Sequence, residues 1–572
     1  MTRQFIYTIA IAAFFAISTL PNVSSFVPSS TTSTQKTTTT FSSDPRHILP
    51  RRSSICSTAL QQSSSSSSGQ TCDVAVIGGG FGGLYTALAL ARQQPKTQIT
   101  LVDPSDSFVF LPLLYDLTVG TASEREVCPK YTDLLQGTNI QHVKGSLDSF
   151  CKDDLTSVNI KINHKYDERN TLTKLKFQRC VLAVGATPEQ MLQQVPGALG
   201  HVQPFYTQKD ASATRDLLFK LERKVSRGQD VKIAIVGGGY GGVELAACVK
   251  RRIPASTVAL LTRGPPMKGT RAEPLIQKAL DRLGVQIELA SVQAIEKVLG
   301  EDDDDKFQIQ YEEQSPGEDT QTTWDAILWT AGSGPAYPLA ECNIPSLSQD
   351  GTGRVLVDSS MRCQWKEDSA SKKLPPIWSL GDCTTILADT IAGATTAAAP
   401  KTAQAAMQQA DVVAYNVLAD AQGKSPKIFA YQDLGSMLTL GGPNAALMAP
   451  SDNSMLGPIF TPFLDTVRVG LGVADGIVNT LNQSPLAEKS GVAPTLEKLG
   501  LSFGGYGLGV DTNDAPGTLA GTLTGAARRA VYAVRMPTNQ QRAYSVASAA
   551  ISTAISLAKE ATENNGSKTN KK

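Results

Sequence analysis

The sequence predicts an α/β chain: two Rossmann-like dinucleotide-binding domains, the first interrupted by the second, followed by a C-terminal amphipathic-helix region. Three observations carry that expectation. The run Val74-Ala75-Val76-Ile77-Gly78-Gly79-Gly80-Phe81-Gly82-Gly83 reads as an apolar strand entering a G-x-G-x-x-G turn that opens a helix. The run Ile233-Ala234-Ile235-Val236-Gly237-Gly238-Gly239-Tyr240-Gly241-Gly242 repeats the design. A third apolar run, Ile377-Trp378-Ser379-Leu380, ends in Gly381-Asp382 and follows both. One fingerprint alone is weak evidence; two in one chain point to two nucleotide cofactors held at once.

The elements follow in order. Arg3 precedes an apolar stretch over residues 5–20, and Val23-Ser24-Ser25 fits a signal-peptidase site, so residues 1–25 read as a signal peptide. Residues 26–70 open on Phe26, are rich in Ser and Thr, and carry Lys36, Arg46, Arg51 and Arg52 with almost no acids. Signal and Ser/Thr-rich segment together resemble the bipartite plastid presequence of algae with secondary plastids; a secretory signal and a plain linker is the duller alternative. Residues 71–228 form the first part of domain one: the fingerprint, a second strand over 98–102, and a strand-like run over 177–184 ending in Gly185-Ala186-Thr187-Pro188. Residues 229–345 form domain two, closing on a strand over 326–329 and the turn Thr330-Ala331-Gly332, with the acidic stretch 301–305 as a solvated hairpin tip. Residues 346–429 return to domain one through the Gly381-Asp382 strand. Residues 430–572 are the C-terminal region, with an unassigned loop-rich insertion at about 450–515.

The acidic partner separates the two turns. About 25 residues beyond Gly78 the second strand ends at Asp103, where a carboxylate accepts hydrogen bonds from an adenosine ribose. The same step from Gly237 lands on Thr262, followed by Arg263. A carboxylate there repels a 2′-phosphate, whereas a hydroxyl beside a guanidinium welcomes one. The first site therefore reads as FAD, held by Gly78, Gly80, Phe81, Gly82, Gly83, Asp103, Ala186 and Asp382. The second reads as NADPH, with NADH second choice, held by Gly237, Gly239, Gly242, Thr262, Arg263 and Gly332. The plain alternative leaves Arg263 pointing into solvent.

Bulk properties exclude more than they assign. Net charge is +1, so no global field favours nucleic acid. Nine cysteines without a C-x-x-C pair, and four histidines, give no metal-ligand spacing. Two C-terminal helices follow from periodicity. In the first, Leu519, Leu523, Ala527, Ala530, Val531 and Val534 share a face, with Arg528, Arg529 and Arg535 nearby and Pro537 as the stop. In the second, Tyr544, Ala547, Ala550, Ile551, Ala554, Ile555 and Ala558 make the stripe. Neither is long enough to span a bilayer. They fit a membrane or lipid-droplet interface, and equally packing on the body or on a second copy in a homodimer.

These elements in this order resemble the type II NAD(P)H:quinone oxidoreductases over residues 72–557. The likeness is carried by Phe108-Val109-Phe110-Leu111-Pro112-Leu113-Leu114 with Gly120, by Gly241-Gly242-Val243-Glu244, and by Thr402-Ala403-Gln404-Ala405-Ala406-Met407-Gln408-Gln409, similar to the family's quinone segment. Asp433-Leu434-Gly435-Ser436-Met437, Ala526-Ala527-Arg528-Arg529 and Arg535-Met536-Pro537-Thr538 make the plastid type C subfamily the most similar. The resemblance implies FAD, a membrane quinone (plastoquinone or a demethylated naphthoquinone), no proton pumping, and a peripheral place on thylakoid or lipid droplet. It makes Gln404, Met407 and Gln408 the quinone contacts. Gln404 and Gln408 are four apart and share a helix face, though such a pair is more often simply solvated. Glu244 is read either as part of the path for charge and protons between nicotinamide and flavin, or as a helix cap in the first turn.

Three rivals are set against this. A disulfide reductase needs a redox cysteine pair after the first acidic residue, where only Cys128 occurs before Lys130. A sulfide:quinone reductase would use separated cysteines such as Cys128, Cys180 and Cys383. A non-catalytic flavin-bearing lipid-droplet protein would carry the same motifs without turnover.

Overall fold

The computed structural model describes residues 70–299 (except 152, 153, 165 and 166), 305–312, 322–335, 347–366, 374–387, 399–442, 444–451, isolated positions between 454 and 465, and 518–551. The expected presequence, the acidic tip at 301–304 and most of the 450–515 insertion lie outside these residues.

The chain enters on β1 (Gln70–Ile77) and turns into α1 (Phe81–Gln93), then returns on β2 (Ile99–Asp103). Val74 to Ile77 are all buried, as in a parallel strand covered on both faces. β3 (Ile140–Lys144) extends this edge; β4 (Ser146–Phe150), β5 (Ser157–His164) and the long β6 (Asp167–Leu182) follow. The order is β3-β2-β1-β6-β5-β4. The C-terminal half of β6 pairs parallel with β1, while its N-terminal half runs antiparallel to β5. Far later in sequence, Ile377–Ser379 pairs parallel with Cys180–Leu182 of β6, which closes the first sheet from outside. Between β2 and β3 lies the short helix α2 (Leu114–Thr118).

The second sheet is inserted between these parts. It comprises β7 (Gln203–Pro204), β8 (Lys232–Val236), β9 (Thr257–Thr262), β10 (Val285–Leu289) and β11 (Ala326–Trp329), all parallel in the order β10-β9-β8-β11-β7. Its helices are α3 (Gln208–Ser226), started by a Thr207/Asp210 capping box, α4 (Tyr240–Arg252) and α5 (Glu273–Leu283). The strands that flank the acidic stretch pair antiparallel, with Leu299 opposite Asp305; the expected tip itself lies outside the described residues. The two passages between domains lie side by side: Ala186–Thr187 pairs antiparallel with Gly334–Pro335.

The chain re-enters the first domain with α6 (Ala403–Ala421), capped by the Thr402 side chain and packed on α1, with Ala406, Ala410 and Val413 among its buried positions. A three-stranded antiparallel sheet follows: β12 (Ser436–Thr439), β13 (Ala445–Met448) and β14 (Thr518–Gly521). Two helices end the described chain, α7 (Thr522–Val534) and α8 over 539–551.

One helical expectation needs correction here. Leu519 is not helical; it lies on β14 opposite Leu447, because the open edge of β13 offers ladder bonds that outweigh local periodicity. On α8 the stripe, which fitted a lipid interface and packing on the body equally, divides: Tyr544 sits against Ser123 and Arg125, while Ala547, Ala550 and Ile551 face outward. Gln541, Ser545 and Ala549 are its buried positions, whereas Ala543, Val546, Ala547, Ala550 and Ile551 are exposed. The helix turns its polar side to the body, for a reason found in the site. Residues 554, 555 and 558 lie outside the described residues. Among the described residues no helix is long and apolar enough to cross a membrane.

Candidate functional site

The first glycine turn is shaped for close backbone approach. A Cβ on Gly78 would lie 2.2 Å from Ala183 O, and one on Gly83 would lie 1.8 Å from Gly78 O, so sheet and helix touch only because both lack side chains. At Gly80 a Cβ would meet nothing within 4 Å. Gly80 is also the N-cap of α1 and supplies no side-chain cap, so the first amides of the helix open onto free space. That is the cradle a pyrophosphate fits.

Asp103 does more than wait for a ribose. Its carboxylate accepts from Gly79 N at 2.7 Å and from Ser105 N at 2.8 Å, which pins the turn to the end of β2. Burial raises its carboxyl above the ordinary value. Further lone pairs remain for a ligand. Tyr131 escaped the sequence reading: its hydroxyl donates to Gly79 O at 2.8 Å from beneath the turn. The Phe81 side chain turns into the core. Its ring packs edge-on against Phe108 and Phe110, with centroids 5.1 and 5.2 Å away. Nothing in its spacing reveals that.

At the far end of the first domain, Ala186 is buried behind Gly185. Gly381 has a left-handed φ of 78°, and its N–H donates to Gln409 Oε1 at 2.7 Å. Gln409, on the buried face of α6, is a second residue the sequence reading missed. Asp382 follows. Burial raises its carboxyl, against the pull of Lys401 and Arg354; its backbone carbonyl accepts from Arg354 Nε at 3.0 Å, and among the described residues no hydrogen bond reaches its carboxylate oxygens. A half-buried carboxylate with lone pairs to spare suits a hydroxyl-bearing ligand such as the ribityl chain of FAD.

The second turn repeats the first. A Cβ on Gly242 would fall 1.6 Å from Gly237 O, Gly237 has a φ of 126°, and Gly239 opens onto empty space as the uncapped N-cap of α4. Thr262 corrects the expectation of a ligand-facing hydroxyl. It is buried, donates to Gly264 O at 2.8 Å, and fills the space a Cβ on Gly238 would need. Arg263 beside it is exposed. The following loop folds back, with Met267 N donating to Gly238 O at 2.8 Å, which brings exposed Lys268 over Gly264. Arg263 and Lys268 thus flank the strand end; only the first was read from sequence. Gly332, with a φ of 72°, packs against Met191.

The glutamine pair is correctly on one helix face, but its amides are already engaged. Gln404 donates to Gly435 O at 3.1 Å and accepts from Tyr431 Oη at 2.7 Å and Leu434 N at 3.2 Å. Gln408 exchanges both bonds with the backbone of Gln432, at 2.8 and 2.9 Å. They bind the 431–435 strap to α6 rather than presenting free amides to a ring. Met407 lies between them, partly buried.

Glu244 is not a cap. It is the fifth residue of α4, beyond the first turn, and its Oε1 accepts from Thr439 N on β12 at 2.8 Å. Burial pushes its carboxyl up to about 7, with Arg528 opposing. Arg528 reaches it from α7, 3.7 Å away, and binds Asp116 of α2 at 3.0 Å and Pro112 O at 2.5 Å. Next along, Arg529 forms two bonds to Glu126, at 2.9 and 3.0 Å. Ser545 and Ser548 of α8 donate to the same carboxylate at 2.8 and 2.5 Å. Glu126 is 0% exposed, and these donors are why the polar side of α8 faces inward. Of the two readings left open for this helix, Arg528 and Arg529 favour packing on the body, since both are buried ion-pair partners.

The cysteines weigh against the thiol-based rivals. Cys128, Cys180 and Cys383 are free and buried, and burial pushes Cys128 up to about 12 and raises Cys180 further. A buried, protonated thiol is a poor nucleophile. Among the described residues no group of side chains could hold a metal ion.

Comparison with known proteins agrees with this geometry. The profile of the pyridine nucleotide-disulphide oxidoreductases matches residues 72–410. An alternative NAD(P)H-ubiquinone oxidoreductase C1, chloroplastic/mitochondrial, of Arabidopsis thaliana is 33% identical over 393 residues, covering 65% of this chain and 72% of that protein. A demethylphylloquinone reductase of Synechocystis is 29% identical, covering 65% and 86% respectively. The NDH2 of Plasmodium falciparum, solved with NADH, superposes with a TM-score of 0.55 at 17% identity over 70% of this chain and 94% of that one, which speaks for the fold alone.

Proposed function

The chain belongs to the pyridine nucleotide-disulphide oxidoreductases, among the type II NAD(P)H:quinone oxidoreductases that use FAD, and from that premise we propose a plastid enzyme that draws hydride from NADPH in preference to NADH and reduces plastoquinone or a demethylated naphthoquinone. The observation that carries the nucleotide choice is the unequal pair of strand ends: Asp103 bound to the first glycine turn, and exposed Arg263 with Lys268 beside the second. Two cations at that edge favour a 2′-phosphate. The names of the Arabidopsis and Synechocystis relatives, together with the presequence-like N-terminus, support the plastid and the quinone class.

FAD, when bound, supplies the two-electron relay between nicotinamide and quinone. The chain's residues do the rest. The two glycine cradles fix both dinucleotides through backbone amides. Gln404 and Gln408 act by holding the 431–435 strap, which walls the acceptor site near Met407. Reducing a quinone to a quinol takes two electrons and two protons; the hydride brings both electrons and one proton. Glu244, buried and with a carboxyl raised to about 7, supplies the second proton and is recharged from water. No proton crosses a membrane in this scheme. The exposed apolar face of α8, with Val546 53% and Ile551 62% exposed, rests on the lipid surface that stores the quinone. Steady-state kinetics with NADPH and NADH against plastoquinone and naphthoquinone analogues tests the reading. A higher kcat/KM for NADPH with either quinone is expected; NADH as the better donor overturns the nucleotide choice.

A further inference from the structure

The junction around Glu244 joins three parts of the molecule. Glu244 comes from α4 of the second domain, Asp116 from α2 of the first, and Arg528 from the C-terminal helix α7. Arg528 is 2% exposed and spans the two acids, with Nη1 3.0 Å from Asp116 Oδ2 and Nη2 3.7 Å from Glu244 Oε1. Its guanidinium lies 4.9 Å from the centre of the Tyr532 ring, and Pro112 O fixes its second amino group. It therefore cannot swing away from Glu244 without breaking a buried ion pair. The groups facing Glu244 from the surrounding elements are Tyr115 and Asp116 on α2, Tyr240 and Cys248 on α4, Thr439 on β12, and Arg528 and Tyr532 on α7. Among the described residues Arg528 is the single cation in this group.

We propose that Arg528, delivered by the C-terminal helix, is a positioning residue that governs when the buried Glu244 carboxyl holds its proton, so that docking of α7 and proton supply at the reaction centre are one structural event. The charges compete in a defined way. Arg528 favours the ionised carboxyl, while Asp116 beside it opposes ionisation; the 3.0 Å pair leaves Arg528 only partly available to Glu244. Removing either partner therefore moves Glu244 in opposite directions. A helix that merely filled space would give no such opposition. The consequence for turnover rests on the reading of Glu244 as proton donor; the charge coupling does not.

The test is an infrared titration of the FAD-loaded full chain, following the carboxylic C=O band that disappears in Glu244→Gln. In the unaltered protein the band is lost near pH 7. In Arg528→Gln it persists to higher pH by about one pH unit, in Asp116→Asn it is lost about one pH unit lower, and Arg528→Lys stays close to the unaltered protein. Equal midpoints in Arg528→Gln and Asp116→Asn overturn the proposal. If Arg528→Gln fails to fold, the downward move in Asp116→Asn carries the test, and no move there overturns it. The alkaline limb of quinone reduction is measured alongside. A limb that tracks the band in every variant joins the coupling to turnover, whereas a band that moves without the limb keeps the coupling and removes Glu244 from the proton path.

Discussion

Glu126 holds the C-terminal helices to the catalytic body, and replacing it with Gln tests that hold. The carboxylate is 0% exposed and receives four bonds, two from Arg529 at 2.9 and 3.0 Å and one each from Ser545 and Ser548 at 2.8 and 2.5 Å. Gln keeps the shape but removes the charge and one acceptor oxygen, leaving a buried guanidinium short of its partner. Losing one member of a buried ion pair costs about 3–5 kcal/mol. Asp116 Oδ1, 3.6 Å from Arg529 Nη1, remains as partial compensation, which puts the expected loss at the lower end. At about 1.4 kcal/mol per tenfold, 3 kcal/mol raises the opening equilibrium of α8 on the order of a hundredfold. Amide hydrogen exchange reads this directly: peptides over 539–551 exchange faster by that factor, while peptides of α1 are unchanged. The double change Glu126→Leu with Arg529→Leu recovers most of the protection, because an apolar pair leaves no charge unmatched. Exchange in α8 that stays within about twofold of the unaltered protein in Glu126→Gln refutes the argument.

Other expectations follow from the same geometry. Arg263→Ala lowers kcat/KM for NADPH by about 10–100-fold, the value of a charge-assisted bond of about 1.5–3 kcal/mol, and leaves NADH nearly unchanged; Lys268→Ala adds a smaller loss in the same direction, and equal losses for both nucleotides make the cations bystanders. Gly80→Ala leaves the fold intact, since its Cβ meets open space, but releases FAD because the methyl occupies the phosphate approach, whereas Gly83→Ala unfolds the turn against Gly78 O; flavin content and circular dichroism separate the two. Glu244 binds its proton more tightly folded than unfolded, with a carboxyl near 7 against 4.5, so its contribution to stability is full below pH 4.5 and is lost as pH rises towards 7. Across that window Glu244→Gln loses less melting temperature than the unaltered protein, and parallel curves contradict the burial. Val546→Glu with Ile551→Glu abolishes flotation with anionic vesicles while leaving NADPH oxidation by a short-tailed quinone intact; undiminished flotation removes α8 from the lipid contact.

What the sequence could and could not reveal follows from physical range. The two glycine turns were legible because their demands are local: Gly78 and Gly237 need left-handed backbone, and Gly83 and Gly242 need the absence of a Cβ. The Gly381-Asp382 strand was legible from its order after the two fingerprints. Side-chain direction at Thr262 was not, because its hydroxyl is claimed by Gly264 two residues on. The partners of Gln404 and Gln408 were hidden for a different reason, since the 431–435 strap has no periodicity of its own. The inward polar face of α8 was the hardest to see. It depends on Glu126, more than 400 residues earlier, and the apolar stripe alone left both orientations open. Tyr131 and Gln409 likewise act across folds of the chain that no local pattern announces.

One flavin in this chain is expected to receive electrons from a nicotinamide and give them to a quinone. An anaerobic titration of the purified full chain tests it most directly. The expected result is a yellow protein whose flavin absorbance is bleached by stoichiometric NADPH and restored by a short-tailed naphthoquinone. A colourless protein, or a flavin that NADPH does not bleach, contradicts it.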